Sequence, residues 1–330
     1  MTFISNLKKI SHYVTVTVIV AVGLVAYANV AQAEYPEKPI TLVVGFGAGG
    51  GVDTFARTFS ANAKEALGVP LAVVNKAGAA SSIAAKQVKK ARPDGYTLLV
   101  TNGSTLASKI MLMGKKAGLD LNTNFITLGS VGQLVTAIMV PSNSPFKTAS
   151  DLVTYAKKNP GKLRWSHPGR GSLHMLAGAV FLADNEIKAQ DVPFKGGGKA
   201  RNAVAGSQVD FGFMGVQLIG GFEEKIRAVG VTSAQRDSVF KAVPTFSEQG
   251  LPQMKLSGPI AIYAPAGIDQ KVQATLVKAI AEATKSDGFM KMAAKGGLSA
   301  GYLSPQDTKN LVDDVSNLVR PVVTKLSAKK

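Results

Sequence analysis

Four glycine-rich segments could do chemistry, because each comes just before a stretch with helical spacing. Backbone N–H groups at such a junction can approach an anion without an intervening side chain. The segments are Gly45-Phe46-Gly47-Ala48-Gly49-Gly50, Asn102-Gly103-Ser104-Thr105, Gly169-Arg170-Gly171-Ser172 and Lys195-Gly196-Gly197-Gly198. Together they predict a site for a negatively charged group, built from backbone donors and hydroxyls.

The first segment also matches the G-x-G-x-x-G pattern of dinucleotide-binding proteins. In that class an acidic residue after the second strand holds the ribose. Here the second strand is followed by Asn75-Lys76, and the chain has no G-K-[ST] motif of a P-loop. We therefore predict no nucleotide cofactor. The glycines are interpreted as an anion-binding turn, with a tight turn that binds nothing as the alternative.

Residues for catalysis or metal binding are few. Beyond residue 33 the chain has two histidines, His167 and His174, and it has no cysteine. Ser172 and His174 are two residues apart and do not face each other on a helix. Two histidines without cysteine also fail the spacing of metal sites. No catalytic residue or metal is predicted, and a periplasmic hydrolase or dehydrogenase remains the alternative from another class.

The elements that must position these segments alternate between short apolar runs and amphipathic stretches. We predict strands at 40–46, 71–74, 96–101, 137–140, 163–166, 192–194, 209–214, 226–232 and 259–264. We predict helices at 53–67, 83–91, 149–158, 173–185, 200–205, 272–285 and 305–326. This order is typical of a sheet of parallel strands covered by helices. Ligands of such sheets bind beyond the carboxyl ends of strands, where all four glycine segments fall.

The first 33 residues have the pattern of a secretory signal peptide. Lys8 and Lys9 precede an apolar run at 13–27, and Ala31-Gln32-Ala33 is a small-x-small cleavage site. The run is shorter than the roughly 20 residues of a spanning helix. We expect cleavage after Ala33 and export to the periplasm of a Gram-negative bacterium.

The formal net charge is +17, from 38 basic and 21 acidic residues. The basic residues are scattered singly or in pairs such as Lys89-Lys90, and no basic run is interleaved with aromatics. Nucleic acid is therefore not a predicted partner. The charge is interpreted as a solvated surface that also attracts anionic solutes, and we expect a monomer.

Short strings distributed along residues 35–325 carry a family resemblance through their order and spacing. They are Tyr35-Pro36-x-x-Pro39-Ile40, Phe46-x-x-Gly49-Gly50-x-x-Asp53-x-x-Ala56-Arg57, Pro93-Asp94-Gly95-Tyr96-Thr97-Leu98, Asp151-Leu152, Asn159-Pro160-Gly161-Lys162-Leu163, Gln208-Val209-Asp210, Val231-Thr232-Ser233, Val243-Pro244-Thr245, Glu248-x-Gly250-Leu251-Pro252 and Ala264-Pro265-Ala266-Gly267. With these strings the chain resembles the substrate-binding receptors of tripartite tricarboxylate transporters, the Bug-type periplasmic proteins.

The resemblance implies an α/β fold with two lobes, that of a type II-like periplasmic binding protein. Each lobe is expected to be a mainly parallel sheet flanked by helices, and two crossing strands are expected to form the hinge. Lobe 1 is expected over residues 34–137 plus 257–330, and lobe 2 over 138–256. The implied function is capture of a small carboxylate (a di- or tricarboxylate, an aromatic carboxylate or an acidic amino acid) for membrane permease subunits. A receptor that presents its ligand to a sensor kinase is the alternative.

The resemblance also assigns site residues. The first glycine segment and the segment from Gly169 to Ser172 are expected to grip a carboxylate, and Asp53 is expected beside the site. The expected ligand-binding residues are Phe46, Ala48, Gly49, Gly50, Asp53, Asn102, Ser104, Thr105, Gly169, Arg170, Gly171, Ser172, His174, Lys195, Gly196, Gly197 and Phe213.

The sequence departs from the family pattern in four places. Asn75-Lys76-Ala77-Gly78 replaces Asn-Arg-Pro-Gly, and Met175 occupies the position of the family's histidine, with His174 one residue early. Arg170 occupies a position that is often small or polar, and Phe213-Met214-Gly215 replaces Phe-Asp-Asn. We expect the last two changes to affect the distal half of the pocket. There Arg170 could either face solvent or bind a second carboxylate of the ligand.

Overall fold

The computed structural model describes residues 35–194 and 196–327, with side chains up to residue 325. The chain divides into two units, Met1–Glu37 and Lys38–Lys330. The predicted signal peptide lies outside the described residues. Residues 35–37 of the first unit form no helix or strand, and all elements below belong to the second unit.

The second unit is built from strands and helices in alternation. The strands are β1 (Ile40–Val44), β2 (Leu71–Asn75), β3 (Thr97–Asn102), β4 (Phe125–Pro141), β5 (Arg164–His167), β6 (Gln190–Pro193), β7 (Phe211–Gly215), β8 (Ile226–Val231), β9 (Ser257–Pro265) and β10 (Ser299–Leu303). The helices are α1 (Gly51–Leu67), α2 (Ser82–Lys89), α3 (Gly103–Met113), α4 (Leu121–Asn124), α5 (Ala149–Lys158), α6 (Leu173–Asp184), α7 (Gly197–Ala205), α8 (Gln270–Lys285), α9 (Asp287–Lys295) and α10 (Pro305–Ser327). None of the helices in the described part of the chain is both long enough and apolar enough to cross a membrane.

Local sequence explains where the helices begin and end. In α1, Phe55, Phe59 and Ala63 recur every four residues and are all buried, so they form one apolar face. Gly68 ends this helix in the left-handed conformation, with φ of 72°. At the start of α5, Thr148 and Asp151 form a reciprocal capping box, which satisfies two backbone donors that the helix itself cannot.

The strands form a mixed sheet in the order β2-β1-β3-β9-β4-β7-β5-β6, with β8 and β10 also paired to β4. β1 pairs in parallel with β2 and β3, and β5 pairs in parallel with β6 and β7. The pairings of β4 with β7, β8, β9 and β10, and of β3 with β9, are antiparallel. The predicted α/β class with flanking helices is confirmed, and antiparallel pairs join its parallel parts.

Sequence reasoning missed several elements. Of β4, only residues 137–140 were predicted, since Gly129, Ser130, Gly132 and Gln133 interrupt the apolar pattern of its first half. Helices α3 and α9 and strand β10 were not predicted either. The pairing of β4 passes from β9 to β7 at Val135 and Thr136, but the proposed lobe boundaries at 137 and 257 remain a prediction.

Candidate functional site

Strand register brings the glycine segments toward one region of the sheet. Val135 of β4 pairs with Ser257 of β9, and the next residue, Thr136, pairs with Gly215 of β7. β3 runs in the same direction as β4, whereas β5 and β7 run opposite to it. The carboxyl ends of β1 and β3 therefore point toward those of β5 and β7 across the middle of β4. The glycine segments follow these ends, as predicted for an α/β site.

Asp53 supports the first glycine segment through hydrogen bonds. It is 2% exposed, and its carboxylate accepts hydrogen bonds from Gly49 N–H (2.8 Å), Asn75 Nδ2 (2.8 Å) and Arg57 Nε (3.0 Å). Burial acts to raise the pKa of Asp53, but the bonds from Arg57, Asn75 and Gly49 outweigh burial and hold its pKa below the ordinary value. Asp53 is thus an ionised support of the loop.

This network uses donors that had been assigned to the ligand. The Gly49 N–H points to Asp53, and the Gly50 N–H donates to Gly47 O at 3.3 Å. The expectation that the successive N–H groups of this loop point at one anion is therefore corrected for Gly49 and Gly50. Gly49 has φ of +75°, a conformation in which a side chain is strained. On the outer side of the loop, Ala48 is exposed and Phe46 is half-buried.

His167 plays a similar supporting role in the segment from Gly169 to Ser172. It is fully buried at the end of β5, its Nδ1 accepts the Gly169 N–H at 3.2 Å, and its Nε2 lies 3.5 Å from Asp191 Oδ2. Burial lowers the pKa of His167, although its bond with Asp191 acts in the opposite direction. The ring is therefore neutral, with its proton on Nε2. The Gly169 N–H, like that of Gly49, is used within the protein.

Ser172 keeps a donor available at the start of α6. Its Oγ accepts the Met175 N–H at 3.2 Å and so caps the helix. A hydroxyl can accept this bond and still donate its own proton. The N-terminus of α6 also favours negative charge through the helix dipole. Ser172 therefore suits a carboxylate better than the Gly169 N–H does.

Arg170 lies on the surface in an ion pair. Its side chain is 63% exposed, and its Nη1 is 3.0 Å from Asp191 Oδ2. Asp191 thus contacts both Arg170 and His167. Exposed pairs of this kind contribute about 0–1 kcal/mol. Of the two interpretations of Arg170, this geometry favours the solvent-facing one.

His174 connects α6 to the middle of β4. Its Nδ1 lies 2.7 Å from Thr136 Oγ1. Burial lowers the pKa of His174 to about 4, with a smaller contribution from His167. At neutral pH the imidazole is therefore uncharged. It offers hydrogen bonding without a positive charge at the point where the strand ends face each other.

The Asn102-to-Thr105 segment forms the start of α3. Asn102 Oδ1 accepts the Thr105 N–H at 2.9 Å, and Asn102, Ser104 and Thr105 are at most 5% exposed. The hydroxyls of Ser104 and Ser81 are buried and have no hydrogen-bond partner within the described part of the chain. Buried hydroxyls normally have a partner, so these two can receive or donate a bond to a solute that reaches them.

Sequence reasoning missed Ser81, which belongs to three consecutive residues with positive φ: Ala79, Ala80 and Ser81. A Cβ placed on Gly45 would lie 1.7 Å from Ser81 Oγ. This close approach explains why glycine follows β1, and it places Ser81 beside the first glycine segment. The sequence signal that could have found it is the small-residue run Ala79-Ala80-Ser81-Ser82.

Phe213 was expected at the ligand; the structure places it in the core, and its role at the ligand remains a prediction. It is fully buried, and its ring packs against Trp165 and Phe181, with ring centroids 5.7 and 5.5 Å away. Gln217, just beyond β7, comes closer to the facing strand ends. A Cβ placed on Gly51 would lie 2.7 Å from Gln217 Nε2. Gln217 was not predicted, because no motif distinguishes it.

The remaining predicted residues lie in or beside the expected segments. Gly196 has φ of +101°, and Gly171 has φ of +80°. A Cβ on Gly197 would lie 2.7 Å from Leu218 Cδ1. Lys195 lies outside the described residues. A ligand-binding role for these residues remains a prediction.

The comparisons with known proteins agree with one another on the family. A family model described as "Tripartite tricarboxylate transporter family receptor" matches residues 55–328. The Bordetella pertussis protein BugT is 28% identical over 305 residues, which cover 92% of this chain and 93% of that protein.

Two similar solved structures contain ligands. MatC from Rhodopseudomonas palustris, with bound malate, has a TM-score of 0.76 and 26% identity, and the match covers 88% of this chain and 100% of that one. An R. palustris protein with adipate has a TM-score of 0.77 and 26% identity, and the match covers 87% of this chain and 98% of that one.

Proposed function

Since this chain belongs to the tripartite tricarboxylate transporter receptor family, we propose that it is a periplasmic receptor for a small carboxylate. The carboxylate binds where the ends of β1 and β3 face those of β5 and β7. The observation that carries this proposal is that β4 changes its pairing partner from β9 at Val135 to β7 at Thr136. Because of this change, the N-termini of α1, α3 and α6 lie toward the same region. Helix N-termini favour anions.

The neutral hydrogen-bond donors of this region fit an anion. Ser172 has a hydroxyl proton to donate, and Ser104 and Ser81 have unused hydrogen-bonding capacity within the described chain. Hydrogen bonds from neutral donors to a carboxylate are charge-assisted and strong. The malate and adipate of the two similar structures are both dicarboxylates, which supports a dicarboxylate as the first ligand to test.

The single tryptophan provides a direct binding assay. Trp165 is the only tryptophan in the chain, and its ring centroid is 5.0 Å from that of His167, which holds the Gly169 N–H. A ligand at Gly169 to Ser172 should therefore change Trp165 fluorescence. Titration with malate, adipate and citrate should give a saturable change for at least one of them. No change, together with no shift in melting temperature, would reject the proposed ligand class.

We further propose that the loaded receptor delivers its ligand to permease subunits of a tripartite tricarboxylate transporter. Uptake of labelled ligand by cells that carry the permease should require this receptor. Conversion of the ligand to a product would distinguish a hydrolase or dehydrogenase from a receptor. If NMR of a ligand mixed with the protein shows conversion to product, the receptor proposal fails.

A further inference from the structure

A second, separate groove is present on the molecule. Its volume is about 840 Å³, within the range of small-molecule sites. It is lined by the loop 233–238, the chain that leads into β9, strand β10 and helix α10. None of the residues predicted for the carboxylate site is among the described residues that line it. A ligand in this groove would therefore occupy a different site.

The groove has both apolar and polar surface, and it is partly pre-organised. Side-chain amides line it at Gln133, Gln235, Gln253 and Asn317. Ser257 Oγ donates a hydrogen bond to Gln133 Oε1 at 2.8 Å, which links the first residue of β9 to β4. Amide groups that remain free can bond to both donors and acceptors of a ligand. The lining therefore offers hydrogen-bonding partners to a small polar molecule.

Two of the charged side chains that line the groove have partners of their own. Arg236 Nε is 3.0 Å from Glu248 Oε1. Asp237 is 2% exposed and accepts hydrogen bonds from the Ser299 hydroxyl and from the Val239 N–H. The bond between Asp237 and Ser299 joins two walls of the groove, and Glu248 compensates the charge of Arg236.

The other two charged side chains that line the groove are Lys255 and Asp314. Both are exposed, and the ion pairs within 4.0 Å found among the described residues include neither of them. Lys255 precedes β9 and Asp314 belongs to α10, so the two charges come from different walls. A simple anion would meet Asp314, and a simple cation would meet Lys255. A molecule with both charges can pair with both.

We propose that this groove binds a small zwitterion, an amino acid or a dipeptide. The ligand's carboxylate pairs with Lys255, and its ammonium group pairs with Asp314. The amides of Gln235, Gln253 and Asn317 bond to the side chain or the peptide group of the ligand. Because both charges are exposed, salt screens these pairs, and affinity falls as ionic strength rises.

Equilibrium dialysis with L-glutamine and glycylglycine tests this proposal directly. N-acetyl-L-glutamine lacks the ammonium group, and L-glutaminamide lacks the carboxylate, so each should bind about tenfold more weakly than L-glutamine. Lys255→Gln and Asp314→Asn should each weaken L-glutamine binding by about five- to tenfold. Lys278→Gln and Glu282→Gln alter an exposed pair on α8, and these matched controls should bind normally.

Several results would overturn the proposal. No binding of either probe at about 10 mM, a concentration well above a millimolar dissociation constant, would do so. Equal binding of the two blocked analogues and L-glutamine would also do so, as would unchanged binding by the Lys255 and Asp314 variants. Saturating malate should leave L-glutamine binding intact. Competition between malate and L-glutamine would mean that L-glutamine binds at the carboxylate site and not in the groove. Since none of the residues predicted to bind the carboxylate lines the groove, failure of this proposal would leave the proposed function untouched.

Discussion

Replacing Asp53 by asparagine tests whether this carboxylate supports the first glycine segment. An amide keeps the shape but loses the charge, and it can no longer accept from Gly49, Asn75 and Arg57 together. A hydrogen bond to a charged group contributes about 1.5–3 kcal/mol. The three bonds share one carboxylate and are not additive, and Arg57 is half-exposed. We expect a loss of about 2–4 kcal/mol in the free energy of unfolding.

Thermal unfolding of the wild type and Asp53→Asn at several pH values measures this loss. For a chain of this size each kcal/mol corresponds to about 2–4 °C, so the melting temperature should fall by about 4–16 °C at pH 7. The pKa of Asp53 is lowered in the folded state. Its stabilising contribution is therefore fully present above the unfolded pKa, about 3.9, and is lost as the pH falls through the folded pKa.

The two proteins should therefore converge in stability in strong acid. Asp287→Asn removes an exposed negative charge from the first turn of α9 and serves as the control, with a change of about 1–3 °C. If Asp53→Asn melts within about 1 °C of the wild type at pH 7, Asp53 does not support the loop as argued.

Three further predictions concern the glycine segments and the core beside them. Gly49→Val forces a branched side chain into a positive-φ position and should weaken malate or adipate binding about tenfold or more by fluorescence titration. A Cβ placed on Gly47 would meet no atom within 4 Å, so the control Gly47→Ala should bind nearly normally. Arg170→Ala breaks an exposed pair, so calorimetry should show less than about a threefold loss for malate; a larger loss would show ligand contact. Gly178→Ala puts a Cβ 2.4 Å from the Trp165 ring, and chemical unfolding should show a loss of about 1–3 kcal/mol.

Much of the fold could be predicted from local patterns. Strand β1 is a short, mainly apolar run in which all residues except Thr41 are buried. Helix α5 was predicted with the bounds that the structure shows, and it has a capping box and an amphipathic face. β4 was mostly missed, since its glycines and polar residues conceal a 17-residue strand. What keeps that strand extended is pairing with β7, β8, β9 and β10. These partners are distant in sequence, so no local pattern reports them.

The candidate site divides in the same way. Glycine at strand-to-helix junctions and Ser172 as a helix cap are local features, and the sequence by itself determined them. The direction of each donor was decided by tertiary structure. The Gly49 N–H points to Asp53 because Asn75, on the neighbouring strand β2, and Arg57 hold that carboxylate in place.

Residue type alone also did not determine which side chains reach the site. Phe213 lies in the core because Trp165 and Phe181 pack around it, and Arg170 turns to Asp191 on β6. Lys255 and Asp314 share a groove although 59 positions separate them (314 − 255 = 59). Burial and pairing depend on which segments meet in three dimensions. The sequence therefore determined the family, the order of elements and the glycine junctions, and only the tertiary structure decided which of their donors and side chains are paired within the protein.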